Sequence, residues 1–162
     1  MESDILADGS LDYPDEMLEG FDFVIASVHS SLDMPADKLM KRYEKAIAHP
    51  ATTMLGHPSG RLLLRRDAMA VDFPALIEMA GKAGVAIELN ANPYRLDIDW
   101  RWGELMRNHG VKTSINPDAH TLDGIGDIHY GVGISRKAGF APADVVNTLS
   151  AADFETWLRK RK

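Results

Sequence analysis

The sequence predicts an α/β protein built on a parallel sheet. Short apolar, β-branched runs recur along the chain, each is followed by a segment with apolar residues at helical spacing, and capping or turn residues separate the two. Strand-to-helix units in unbroken succession leave a parallel α/β sheet or barrel as the architecture, because parallel neighbours need a crossover between them.

Glu2 to Leu6 reads as the tail of a strand, shorter than the usual five or six residues. Ala7 to Ser10 form a turn, and Tyr13 to Leu18 a short helix with Pro14 and two acids in its first turn, stopped by Gly20. Phe21 to Val28, FDFVIASV, is aromatic and β-branched enough for a buried parallel strand ending in His29. Pro35 to Ala48 carries Leu39, Met40, Tyr43 and Ile47 on one helical stripe, which makes it the crossover helix. Thr52 to Leu55 is a strand ending at Gly56-His57-Pro58. Phe73 to Ala83 is a helix closed by Gly84, and Val85 to Leu89 a strand ending at Asn90. Trp100 to Asn108 is a further helix. Val111, Thr113 and Ile115 alternate as a strand that leaves through Asn116-Pro117 into Asp118 and His120. Two residues apart in extended backbone, Asp118 and His120 would project to one face, although alone the pair equally fits an Asx turn leading into a helix. Asp123 to Lys137 turns helical with glycine breaks, and helices start near Pro142 and Ala151. No repeat, low-complexity segment or linker divides the chain.

Composition narrows the chemistry. At 162 residues and 45% hydrophobic the chain suits one globular domain. Cysteine is absent, so a metal must sit on His, Asp and Glu, and no disulfide framework forms. No run approaches the ~18 apolar residues of a membrane span, and the acidic start lacks an apolar signal core, so we expect a soluble, cytoplasmic protein. A net charge of −6 excludes nucleic-acid binding through a broad basic face and makes any phosphate contact focal.

The residues just past the strands are the informative ones. Glu2, His29, His57, Glu88, Asn90, Asp118 and His120 all lie at the same end of successive strands, where parallel sheets gather their chemistry. Imidazoles mixed with carboxylates form the donor set for Zn, Mn or Fe. His49 and His109 sit at helix ends, where a cap or a cation is expected, and His129 reads as surface or packing. Trp100 and Trp102 read as packing. The basic tail Arg159 to Lys162 reads as a solvated end. Arg61, Arg65 and Arg95, in loops near the strand ends, are candidates to clamp phosphate, or simply solubilise the surface. Glu88 and Asn90 could orient a ligand or water from behind the metal.

The stretches ESDILADGSLDYPDEML, FDFVIASVHS, TMLGHPSGRLL, IELNANPYRLD, INPDAHT and YGVGISRKAG followed by NTL resemble the PHP (polymerase and histidinol phosphatase) superfamily, most closely the C-terminal PHP domain of bacterial family X DNA polymerases. The resemblance implies a distorted seven-stranded β/α barrel with up to three metal ions that hydrolyses phosphoesters, and in the polymerases a manganese-dependent 3′–5′ exonuclease acting on DNA 3′ ends. It makes Glu2 the carboxylate bridging the first two metals, His29 and His57 the remaining ligands of the second, Asp118 a ligand of the first and His120 of the third. Glu2, Asp118 and His120 are thus the expected catalytic groups. Such domains open with a His-x-His motif, then an Asp and a further His, and no residue here matches those four. We therefore expect residues 1–162 to be the C-terminal part of the domain, a partial barrel lacking its first strands. One metal ion should be held by Glu2, His29 and His57, and the open barrel edge invites self-association. A histidinol-phosphate-type phosphatase and a non-catalytic metal-binding fragment stand as alternatives.

Overall fold

The computed structural model describes residues 1–161, so Lys162 of the basic tail lies outside the described residues. Strands β1 (Glu2–Asp4), β2 (Val24–Ser27), β3 (Thr52–Leu55), β4 (Ala86–Asn90) and β5 (Thr113–Asn116) pair in chain order into one sheet, and every pairing is parallel. Helices fill each crossover: α1 (Asp15–Leu18), α2 (Ala36–Ala48), α3 (Phe73–Ala83) and α4 (Gly103–Asn108) stand between successive strands. Helices α5 (Ile128–Lys137) and α6 (Ala151–Arg161) follow β5. The architecture is the expected α/β one, five parallel strands alternating with helices.

Local chemistry explains the boundaries. Helix α3 starts where Asp72 accepts the Ala75 N–H at 3.1 Å and stops at Gly84, whose φ of 68° is the left-handed cap that glycine adopts without strain. Helix α2 buries Leu39, Tyr43 and Ile47 of its predicted stripe and Ala46 beside them, while Met40 is half-buried. All five residues of β4 are buried, as expected of a central parallel strand covered on both faces. Arg42 is also buried in α2. Its guanidinium donates to the Ser30 carbonyl at 2.9 Å and to the Ile5 carbonyl, tying together the loops that leave β1 and β2. Among the described residues no helix is long and apolar enough to cross a membrane.

The structure departs from the sequence reading at the element ends. Of the run FDFVIASV only Val24–Ser27 pairs as strand; Phe21 is exposed, and the Phe23 ring packs instead against Phe154 and Trp157 of α6. Trp100–Trp102 is a 3₁₀ turn leading into α4, and there Trp102 stacks on Phe73 at 5.4 Å while Trp100 lies under Lys137. Asp118 is not extended. Its φ of 51° ends the extended run after Asn116-Pro117, and the turn still leaves the two side chains together, with His120 Nδ1 3.8 Å from Asp118 Oδ1.

Candidate metal centre

Glu2, the first residue of β1, meets His29 and His57, which lie just past the C-terminal ends of β2 and β3, with one donor atom from each within 4.8 Å of the others. Among the described residues this is the group of His, Asp and Glu close enough to hold an ion. His29 Nε2 and His57 Nε2 face each other at 3.2 Å, and Glu2 Oε1 is 3.7 Å from both. Gly56 permits this approach, since a Cβ there would lie 2.2 Å from Ser27 Oγ on β2.

Neighbouring groups fix each donor. Asp4, two residues after Glu2 on β1, takes His29 Nδ1 and so leaves the Nε2 lone pair facing inward. Ser27 Oγ donates to Glu2 Oε1 at 2.7 Å. His57 is buried, and desolvation, with Arg95 nearby, pushes its pKa down to about 4, so the ring is neutral and its nitrogen available. Its Nδ1 is buried without a hydrogen-bond partner. Two imidazole nitrogens and a carboxylate oxygen converging on one point, one of the rings barred from protonation, suit a divalent cation of the Zn, Mn or Fe class. A cation bonded to all three would satisfy both lone pairs and the carboxylate at once.

A layer of polar side chains lies behind these donors. Glu88, buried in β4, accepts the His57 backbone N–H at 2.6 Å, the Asn116 carboxamide at 2.9 Å and the Asn90 carboxamide at 3.2 Å. Burial raises its pKa to about 7, against the pull of those donors. Asn90 also donates to Asp118 Oδ2 at 3.1 Å, and Arg95 Nε sits 3.2 Å from the same oxygen. Glu2, His57, Glu88, Asn116 and Asp118 line one cavity of about 240 Å³.

The remaining predicted residues divide. Asp118 lines the cavity but stands outside the close three-residue group; His120 is exposed, its Nδ1 turned back to the Asp118 carbonyl at 2.9 Å. Arg95 reaches the site. Arg61 does not present a free fork: Nε donates to the Arg95 carbonyl at 2.8 Å, Nη1 meets Asp99 at 3.0 Å and Nη2 donates to the Leu96 carbonyl, so it braces the 95–99 loop. Arg65 lies over the Tyr94 ring, 4.5 Å from its centroid. His49 contacts Asp15, and His129 Nδ1 bonds the Gly126 carbonyl. Sequence reasoning overlooked Asp4, Ser27 and Asn116. The strand period puts Asp4 on the face of Glu2, which was a usable signal; the register that sets Ser27 beside Asp4 was not readable without the fold.

No family model matches the chain. It is 43% identical over 162 residues to the DNA polymerase/3′-5′ exonuclease PolX of Bacillus subtilis, a match that covers 99% of this chain and 28% of that protein. It is 25% identical to a probable phosphatase of Thermoanaerobacter across 96% of this chain and 64% of the relative, and 25% identical to the probable phosphatase YcdX of Escherichia coli across 86% and 58%. The chain thus spans less than two thirds of the length of these relatives. Identity of 43% across 99% of the chain, with weaker likeness to probable phosphatases across 86% and 96% of it, identifies the chain as a PHP-type domain.

Proposed function

We propose that the chain is a metal-dependent phosphoesterase domain that, in a PolX-type protein, removes nucleotides from DNA 3′ ends. The observation that carries this reading is the pair of imidazole Nε2 atoms facing each other at 3.2 Å beside the Glu2 carboxylate, in a chain whose 43% identical relative is named as a polymerase and 3′-5′ exonuclease. The parallel sheet is read as part of a distorted seven-stranded β/α barrel. The segment after α5 supports this, because Val145 makes a parallel bridge to Thr113 where the next strand would lie.

Glu2, His29 and His57 would hold one divalent ion, with Mn, Zn and Fe all compatible, and Asp118 and His120 would serve further ions where the site is complete. Such an ion supplies Lewis acidity toward a phosphoryl oxygen and lowers the pKa of water. The chain's own groups do the positioning. Asp4 and Ser27 fix the His29 tautomer and the Glu2 rotamer, and Glu88 anchors the backbone that presents His57. Arg95, drawn to the rim by Asp118 and with Nη1 buried and unpartnered, is the guanidinium placed to bind a substrate phosphate.

The test is release of nucleotides from a 3′-recessed DNA with manganese, set against phosphate release from histidinol phosphate. Release from DNA that EDTA stops and Asp118→Ala abolishes supports the reading. Turnover of histidinol phosphate alone would move the chain to the small-molecule phosphatases, which the relatives named as probable phosphatases keep in view.

A further inference from the structure

The loop that leaves the metal centre carries an exposed aromatic and apolar plate. Leu62 and Arg66 bridge as a tight hairpin, and Arg66 clamps its base, with Nε 2.9 Å and Nη2 2.6 Å from the Gly60 carbonyl. At the tip Leu64 is fully exposed, in the left-handed region at φ 63°. Beside it the Leu63 N–H bonds the Tyr94 carbonyl at 2.6 Å, Tyr94 is half exposed, and the Arg65 guanidinium lies 4.5 Å from the Tyr94 ring centroid. Asn92 Oδ1 takes the Tyr94 N–H at 2.9 Å, so the backbone under the ring is pinned from both sides.

We propose that Tyr94, Arg65 and Leu64 form a stacking platform for the terminal bases of single-stranded DNA entering the metal site. This rests on the phosphoesterase reading above and deepens it by naming the substrate class. The platform is joined to the site at both ends. Tyr94 precedes Arg95, whose Nε is 3.2 Å from Asp118, and the hairpin begins at Leu62, five residues after His57. Tyr94 and Arg95 are neighbours in the chain, so the platform is tied to the residue that meets Asp118. A ring under a guanidinium offers flat surfaces that stack on any base, and Leu64 extends the apolar surface outward. Such a platform also answers the charge problem. At −6 the chain cannot hold a nucleic acid by a basic face, so affinity must come from contacts other than bulk charge. A small phosphomonoester would have no use for a plate outside the cavity.

The experiment measures binding rather than turnover. The full chain is titrated, with manganese present, into an oligothymidylate that carries 2-aminopurine at its 3′ end and a cleavage-resistant terminal phosphorothioate, and both anisotropy and 2-aminopurine emission are read. Quenching of the emission on binding is expected. Tyr94→Ala should abolish the quench and weaken binding about ten-fold, the scale of one lost stack. Tyr94→Phe should keep both, Arg65→Gln should fall between, and Tyr130→Ala, an exposed aromatic on α5, should change neither. Unaltered quenching and affinity in Tyr94→Ala overturn the proposal, as does failure of the chain to bind the oligonucleotide while it still hydrolyses bis(p-nitrophenyl) phosphate. Quenching that depends on Tyr94 in a chain that hydrolyses no phosphoester would uphold the platform and sink the catalytic reading.

Discussion

The side chain of Asn147 occupies both backbone positions that Ile115 offers on the outer edge of β5, accepting its N–H at 2.7 Å and donating to its carbonyl at 3.0 Å. A carboxamide thus stands in for a neighbouring strand, and the Thr113–Val145 bridge continues the cover one step earlier. At the opposite edge Asp12 does similar work, taking the Asp4 N–H at 2.9 Å and the Ser3 hydroxyl at 2.6 Å. Open sheet edges invite pairing with another chain, so these side chains bear directly on self-association.

Asn147→Ala should therefore leave the Ile115 N–H and carbonyl unpaired near the core and cost about 1–3 kcal/mol of stability. Urea unfolding gives the loss, and light scattering should show the variant associating at concentrations where the parent does not. Unchanged stability together with unchanged mass would mean that the edge needs no such cover.

Asp4→Asn should weaken metal binding by about 10–100-fold while leaving the fold intact, because the group that orients His29 Nδ1 is lost and the donor atoms themselves remain. Isothermal titration with zinc reads the change, and a circular dichroism spectrum checks the fold. Equal affinity in the two proteins would show that Asp4 does not set the His29 ring.

Asp97 gives a pH signature. It is fully buried against the Ser59 N–H and hydroxyl, and burial raises its pKa to about 6 despite those bonds. A carboxyl whose folded pKa lies above its unfolded value binds more protons when folded, so its contribution to stability grows as pH falls through 6 and levels off near 4. Glu88, raised to about 7, acts in the same direction, while His57, lowered to about 4, acts against it. The wild-type curve is thus a mixture, and the informative quantity is the difference from Asp97→Asn, which has no such proton. That difference should shift in favour of the parent by on the order of 1–3 kcal/mol between pH 7 and pH 4.5. A difference that stays flat would show that Asp97 keeps an ordinary pKa.

His57→Ala should remove most of the bound metal, and His109→Ala, at the C-cap of α4, should remove little. Metal analysis after dialysis reads both. Equal losses would break the assignment of His57 as a ligand.

The fold was legible because periodicity survives in a single sequence. Helix α3 lies where its Asp72 and Gly84 caps put it, and β3 where its β-branched run does. The convergence of His29 and His57 was legible too, since topology alone carries successive strand ends to one rim. What escaped depended on register and backbone twist. The expectation that Asp118 and His120 project together assumed a continuing strand; the positive φ at Asp118 ends the strand, and a turn instead sets the two side chains 3.8 Å apart. Arg61 looked like a phosphate clamp by position, and only the packed 95–99 loop shows its fork already taken. Asp4 and Ser27 are short polar residues in short strands, and their roles follow from pairing across β1 and β2.

The most direct test of the account is an anomalous difference map from crystals of the chain grown with manganese or zinc, with data collected at that metal's absorption edge. The account predicts a peak about 2.0–2.2 Å from His29 Nε2, from His57 Nε2 and from a Glu2 carboxylate oxygen, with His29 Nδ1 still bonded to Asp4. No peak at that point, or a metal held by other residues with the two imidazoles left facing each other, would contradict it.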